Sequence, residues 1–270
     1  MKHSIAIVVL ALTAAAVAQE PSADRLKIPL RDPSRPATVK VSLIHGGVTV
    51  KAYSGREILV EAVGRRSRRD RRERNSSGPR QLFLTSTGLA AEEENNVVSI
   101  STDSHQRAVD LVVQAPVKTS LKLSVINSGN IRVEGVDGEI EANAINGGIT
   151  LSDVSGSVVA HSLNGTLTAS IKRADPGKPM SFTSLNGKVD VTLPATIKAD
   201  LKLKAGRGDV FSDFDVELAP SNPTVEQTGD ATRGKYKVRT ESMATGKING
   251  GGQEITFKNM NGSIYIRKGQ

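Results

Sequence analysis

Ile-Asn-Ser-Gly-Asn-Ile (126–131), Val-Asp-Gly-Glu-Ile (136–140), Ile-Asn-Gly-Gly-Ile (145–149), Val-Ser-Gly-Ser-Val (154–158) and Leu-Asn-Gly-Thr-Leu (163–167) follow one another within Leu121–Ile171. Their glycines, Gly129, Gly138, Gly147, Gly156 and Gly165, stand nine residues apart, so the stretch is an internal repeat of the form apolar, turn, apolar. Asn-Gly and Asp-Gly accept positive φ at little cost and, between alternating apolar residues, signal tight turns between strands. After each turn the apolar residues alternate, as Ile131/Val133, Ile140/Ala142, Ile149/Leu151, Val158/Ala160 and Leu167/Ala169. A period of two gives each short strand one apolar face and excludes helix.

Two all-β folds satisfy this pattern, an elongated β-solenoid whose coils stack and an antiparallel β-meander. Alternate units resemble each other more than neighbours do: Asn127, Asn146 and Asn164 mark one set of turns, Asp137 and Ser155 the other. Two unlike turns per structural unit predict a coil built from two strand-turn units of about nine residues. A meander also needs a cover for its apolar face, and no segment has the 3.6-residue period of a covering helix. A solenoid closes over its own narrow core, which inward alanines suit. The solenoid is the favoured reading and the meander the alternative. It predicts Ile131, Ile140, Ile149, Val158 and Leu167 stacked in one core row, with helix nearly absent.

Met1–Ala18 carries Lys2 and His3, an apolar run Ile5–Val17 and small residues before Gln19, the pattern of a secretory signal peptide. The run is short for a membrane span, so no transmembrane segment is expected after cleavage. Residues 19–37, with four prolines, read as an irregular linker, and 38–270 as one β-strand-repeat domain. There is no cysteine, hence neither a disulfide framework nor a lipid-attachment cysteine. The net charge of +8 resides largely in a basic loop at 64–80, where eight arginines face Asp70 and Glu73. Basicity confined to one loop argues against a nucleic-acid-binding fold, which spreads charge along a groove or helix. Arg65, Arg66, Arg68, Arg69, Arg71, Arg72 and Arg74 are the candidate anion-binding residues, suited to an anionic envelope surface or polysaccharide, the alternative being a solvated loop of like charge that binds nothing.

Ahead of the regular repeat, Thr38–Ile44, Val48–Ala52, Ile58–Val63, Gln81–Ser86, Val97–Ser101 and Ala108–Gln114 read as strands, and Gly88–Asn96 as a turn. The diverged first units are expected to cap an open end of the stack. Beyond the repeat, Lys172–Pro179 is an insertion that breaks the beat before Ser184-Leu185-Asn186-Gly187 restores it. Asp213–Gly234 reads as a long connection, and Tyr236–Thr240, Gly246–Phe257 and Met260–Ile266 as strands. The last unit ends on Arg267 and Lys268, which would blunt an exposed sheet edge.

The strand-turn wording of 125–169, the lead-in Ala115-Pro116-Val117-Lys118, Gly206-Arg207-Gly208-Asp209-Val210 and the closing Asn261-Gly262-Ser263-Ile264 resemble the bacterial putative-adhesin family of β-strand-repeat envelope proteins, a domain family of unknown function. The resemblance spans about Thr38–Arg267. It implies a β-solenoid and an envelope location, and it names no catalytic residue.

The remaining constellations read as structure. Arg207-Gly208-Asp209 has the composition of a tight turn, which outweighs integrin recognition. Asp137, Glu139 and Glu141 alternate along one strand as solvated outward positions, and Gly147-Gly148-Ile149-Thr150 lacks the nonapeptide calcium motif. His45, His105 and His161 have no spaced metal partner, so neither a metal nor another cofactor is expected. The serines, Ser155 and Ser157 among them, read as turn residues without a hydrolase elbow. Asn127, Asn146, Asn164, Asn186 and Asn261 predict a ladder of stacked asparagines. Tryptophan is absent and tyrosines number three, so aromatic platforms for sugar stacking are scarce. The resulting expectation is an exported, non-catalytic binding or scaffolding module of the cell envelope. The alternative is a polysaccharide lyase or hydrolase on a β-solenoid, for which paired carboxylates suffice.

Overall fold

The computed structural model describes residues 23–65, 87–103, 108–219 and 243–269, together with the backbone of 224–230 and 235–241. Before the regular repeat the strands are β1 (Asp24–Pro29), β2 (Ala37–His45), β3 (Val48–Tyr53), β4 (Glu57–Gly64), β5 (Leu89–Glu94), β6 (Val97–Thr102) and β7 (Val109–Pro116). The repeat supplies β8 (Thr119–Asn127), β9 (Ile131–Glu134), β10 (Asp137–Asn146), β11 (Ile149–Asn164) and β12 (Leu167–Ala174). Then come β13 (Met180–Asn186), β14 (Val189–Leu193), β15 (Ala199–Ala205), β16 (Val210–Ser212), β17 (Val216–Leu218), β18 (Thr224–Asp230), β19 (Lys235–Glu241), β20 (Ala244–Ile248), β21 (Gln253–Asn261) and β22 (Ile264–Lys268). No helix occurs among the described residues, so the fold is all-β.

Within the repeat the strands pair in parallel. Ile131 lies beside Ile149 and Ile149 beside Leu167, steps of eighteen residues, while Ile140 lies beside Val158 at the same step. Each coil therefore contributes one strand to each of two walls, and β11 crosses from the second wall to the first. Asp153 (φ 52°) and Gly156 (φ 109°) lie along that crossing. The five apolar residues expected in one row are all buried, but they form two rows on opposite walls. A nine-residue step is half a coil and so reaches the facing wall; only the eighteen-residue step returns to the same one. Among the described residues, antiparallel pairs are confined to β1–β4, β4–β7, β5–β6, β15–β20, β17–β20 and the separate β18–β19 hairpin, which leaves no meander in the repeat.

Coils do not stack in chain order. From one end, the first wall runs β6, β2, β8, β10, β11, β13, β21, β15, and the second runs β7, β3, β9, β11, β12, β14, β22, β16. The first coil, β2/β3, is thus inserted between later coils and caps nothing. The last strand, β22, is paired with β14 along its length and with β16 over Ile264–Ile266, so it is not an edge strand, and the Lys268 N–H beyond β16 donates to Asp213 Oδ2 (3.3 Å). At the end that carries β6 and β7, antiparallel strands terminate the stack: β5 covers β6, β4 covers β7 and β1 covers β4.

Other expectations are corrected at these ends. The presumed linker contains β1, whose Ile28 is buried and whose Asp24 carboxylate accepts hydrogen bonds from Thr87 N (2.7 Å) and Oγ1 (2.6 Å). Gly88–Asn96 is strand β5 followed by a turn at Asn95 and Asn96, because Leu89, Ala91 and Glu93 turn one half-buried face toward the sheet. The long connection contains β17 and β18, and Gly246–Phe257 is split by the turn at Asn249-Gly250-Gly251. The strand expected over Gln81–Ser86 and the leader at 1–18 lie outside the described residues.

The inward rows are continuous through the stack. Ile100, Val41, Leu123, Ala142, Ala160, Phe182, Phe257 and Leu203 form one, and the rings of Phe182 and Phe257 stack with centroids 5.4 Å apart. At the corner where the chain leaves the first wall, glycines stack as closely as backbones allow. A Cβ on Gly129, Gly147, Gly165, Gly187, Gly262 or Gly208 would meet the carbonyl oxygen of the neighbouring glycine, namely Gly46, Gly129, Gly147, Gly165, Gly187 and Gly262 in turn. The obstacle is backbone, which cannot swing aside. Gly165→Ala is expected to cost about 1–3 kcal/mol or more by overpacking. Gly64→Ala, whose Cβ would meet only Thr87 Cγ2 at 4.0 Å among the described residues, should stay within about 0.5 kcal/mol of the parent. Urea denaturation of the two variants compares them, and equal effects would contradict the close stacking.

Candidate binding surface

The corner that carries the glycines also carries the expected asparagine ladder. Asn146 Nδ2 donates to Asn127 Oδ1 (3.0 Å), Asn164 to Asn146 (2.9 Å), Asn186 to Asn164 (2.7 Å) and Asn261 to Asn186 (2.8 Å). The last step joins residues 75 apart in sequence. An amide has two N–H donors and two carbonyl lone pairs. The ladder uses one of each at the internal rungs, leaving one donor and one acceptor per rung, and from Asn146 onward these rungs are exposed. The result is a strip of amide groups repeating at the strand spacing, about 19 Å from Asn127 to Asn261.

Two neighbouring rows flank the ladder. On its inner side, Val125, Ala144, Ser162, Ser184 and Asn259 stack in register, passing from apolar to polar along the core. Ser162 Oγ donates to the Gly147 carbonyl (3.1 Å), Ser184 Oγ to that of Gly165 (3.3 Å) and Asn259 Nδ2 to that of Gly187 (2.7 Å). These serines are buried and brace the corner from within, which corrects their assignment to turns. The recurrent wording Ser162-Leu163-Asn164-Gly165 and Ser184-Leu185-Asn186-Gly187 is the sequence signal that could have found them. On the outer side, Ile126, Ile145, Leu163, Leu185 and Met260 precede the ladder positions, Ile44 continues the row ahead of His45, which lies beside Asn127, and Ile44, Ile145 and Met260 are more than 40 % exposed. A donor-acceptor strip thus runs beside an apolar ridge.

The three outward carboxylates of β10 are engaged with cations. Asp137 meets Arg173 (2.7 Å), Glu139 meets Lys178 (2.9 Å) and Glu141 meets Lys122 (3.8 Å). Among the described residues no group of His, Asp and Glu is arranged to hold a metal. Arg207-Gly208-Asp209 forms the tight turn into β16, with the Asp209 carbonyl accepting from Ile264 N (2.9 Å).

Of the candidate anion-binding arginines, the structure describes Arg65 alone; Arg66, Arg68, Arg69, Arg71, Arg72 and Arg74 lie outside the described residues. Arg65 is already occupied. Its Nε and Nη2 hold the Asp110 carboxylate (2.5 and 2.7 Å), and its Nη1 donates to the Ser128 carbonyl (2.6 Å). Asp110 in turn accepts from Gly47 N (2.9 Å), so Arg65 clamps the Asn-Gly corner at the foot of the basic loop.

Asp190 is the most enclosed acid of the outer faces, with a side chain 12 % exposed. Burial pushes its carboxyl up, but hydrogen bonds from Arg267 (2.7 Å) and Lys188 (2.9 Å) outweigh burial and hold it below the ordinary carboxylate value. A depressed acid contributes stability in full above its unfolded value, about 3.9, and loses it as pH falls through the folded value. At neutral pH, Asp190→Asn should therefore cost about 1.5–3 kcal/mol, the scale of charged hydrogen bonds. That gap should close on acidification below the unfolded carboxyl value. Urea denaturation across a pH series checks it, and parallel profiles for parent and variant would contradict the assignment.

The model of the Toastrack DUF4097 family matches residues 93–249, from the end of β5 to the residue after β20. Similar solved structures include a putative cell adhesion protein from Clostridium sporogenes ATCC 15579, with TM-score 0.45 and 12% identity over 93% of this chain and 100% of that one. Another is a putative adhesin from Bacteroides fragilis NCTC 9343, with TM-score 0.42 and 10% identity over 92% of this chain and 98% of that one. Comparison with curated proteins returns no match. The matched segment covers more than half of the sequence and contains the whole regular repeat, and the chain belongs to the Toastrack DUF4097 family.

Proposed function

We propose that the protein is an exported, non-catalytic binding module of the cell envelope that holds a repeating glycan along its Asn-Gly corner. In this reading the stacked coils form a β-solenoid, residues 1–18 are its leader and 38–270 its repeat domain, now extended at the N-terminal side by β1. The observation that carries it is the strip of exposed amides beside the apolar ridge of Ile44, Ile145 and Met260. A polymer with alternating hydroxyl-bearing and C–H faces matches a surface that repeats hydrogen-bonding and apolar positions at a fixed interval. The pairing of Asp137, Glu139, Glu141 and Asp190 with cations favours binding over a hydrolase or lyase, whose carboxylates must be available to substrate. The arginines beyond Arg65 add a second contact to anionic surfaces.

Incubation with an array of envelope and extracellular glycans, scoring retention and cleavage separately, tests the reading. Retention without cleavage is expected, together with loss of retention when Ile145→Ser and Met260→Ser are combined. Turnover of any glycan would overturn it, as would retention that the double substitution leaves unchanged.

A further inference from the structure

The insertion Lys172–Pro179 has a structural consequence at the opposite corner, where the second wall returns to the first. There the stacking step lengthens from eighteen residues, Ile149 to Leu167, to twenty-two, Leu167 to Val189. The extra residues, the β14–β15 loop and the β20–β21 turn enclose an open recess of about 660 Å³. That volume lies within the range of small-molecule sites, roughly 300–1,000 Å³. Ala174, Pro176, Pro194 and Ile197 give the recess an apolar surface, while Lys172, Lys198 and Gln253 bring polar groups to it.

Of the residues that line the recess, Lys172, Arg173 and Lys198 are cationic and Glu254 alone is acidic. Glu254 is paired with Lys202 (2.6 Å), and of the acids beside the recess Asp175 holds Arg173 (2.8 Å) and Lys178 (3.6 Å) while Asp200 accepts from the Gly252 N–H (3.3 Å). Arg173 is itself shared between Asp175 and Asp137 (2.7 Å). Lys172 and Lys198 form no ion pair among the described residues, although both line the recess. Gln253 Nε2 is buried and has no hydrogen-bond partner among the described residues. Two exposed ammonium groups with no ion pair among the described residues, a buried amide donor and an apolar surface thus border one concavity.

We propose that this recess binds a compact anionic sugar unit, a uronic acid or a sugar phosphate. Lys172 and Lys198 take the anionic group, the Gln253 amide turns to donate to a ring oxygen or hydroxyl, and the proline and alanine surface takes the C–H face of the ring. The site uses none of the residues of the Asn-Gly strip, so glycan retention along that strip can fail while the recess binds, and the reverse.

Titration of the full chain with a galacturonic acid disaccharide, its methyl ester, a hexose phosphate and neutral glucose, followed by NMR or calorimetry, tests this. Binding of at least one acid and of neither neutral sugar is expected, with the acid that binds deciding between carboxylate and phosphate as the source. Combining Lys172→Ser with Lys198→Ser should weaken that binding at least about tenfold, the scale of a lost charge-assisted hydrogen bond. Lys40→Ser with Lys258→Ser, which removes the same charge from the outer face of the first wall, should not. The assignment is overturned if no acid binds, if ester and acid bind equally, or if both double variants lose affinity alike.

Discussion

The stack depends on how closely one glycine backbone lies on the next at the Asn-Gly corner. With the neighbouring carbonyl occupying the place of each Cβ, any other residue at Gly129, Gly147, Gly165, Gly187 or Gly262 would push the coils apart at that corner. Holding the coils at strand spacing there keeps the inward rows in register and brings the asparagine side chains within 2.7–3.0 Å of one another. Ser162, Ser184 and Asn259 satisfy glycine carbonyls from the core side, so the corner is hydrogen-bonded from both faces. An unsatisfied buried carbonyl would otherwise carry its full desolvation penalty.

Stacking out of chain order makes the domain more cooperative than a simple repeat array. In a sequential array each coil touches its chain neighbours, and stability is close to a sum of local terms. Here β21/β22 separates β13/β14 from β15/β16, and β2/β3 separates β6/β7 from β8/β9. Neither sub-array is complete until a distant segment arrives. Such non-local pairing raises contact order and slows folding.

The local grammar was legible because it is written in short-range signals. Nine-residue spacing, Asn-Gly turns and period-two apolar residues led to the all-β architecture, the eighteen-residue coil and the ladder of Asn127, Asn146, Asn164, Asn186 and Asn261. Layer order was not legible, since every coil carries the same turn and the same inward pattern and can accept any other as neighbour. β1 and β5 escaped notice because edge strands carry prolines and glutamates that read as linker and turn. Ser162 and Ser184 escaped because serine in a Gly-rich context suggests a turn, whereas here the glycine carbonyls draw it into the core. The recess depends on where an insertion falls relative to two loops distant in sequence, Pro194–Lys198 and Gly250–Gly252, which no local pattern encodes.

Cross-linking of engineered cysteine pairs is the most direct test of the inserted terminal coil, because the chain has no cysteine of its own. Ser181 lies beside Thr256, and Thr256 beside Lys202, on the outer face of the first wall. With a short bifunctional thiol reagent, Ser181→Cys paired with Thr256→Cys, and Thr256→Cys paired with Lys202→Cys, should cross-link within single molecules. Ser181→Cys with Lys202→Cys should not, because β21 lies between them and holds them about 9.5 Å apart, two strand spacings. Efficient linkage of the 181 and 202 pair, with none to position 256, would mean that the coils stack in chain order and would contradict the account.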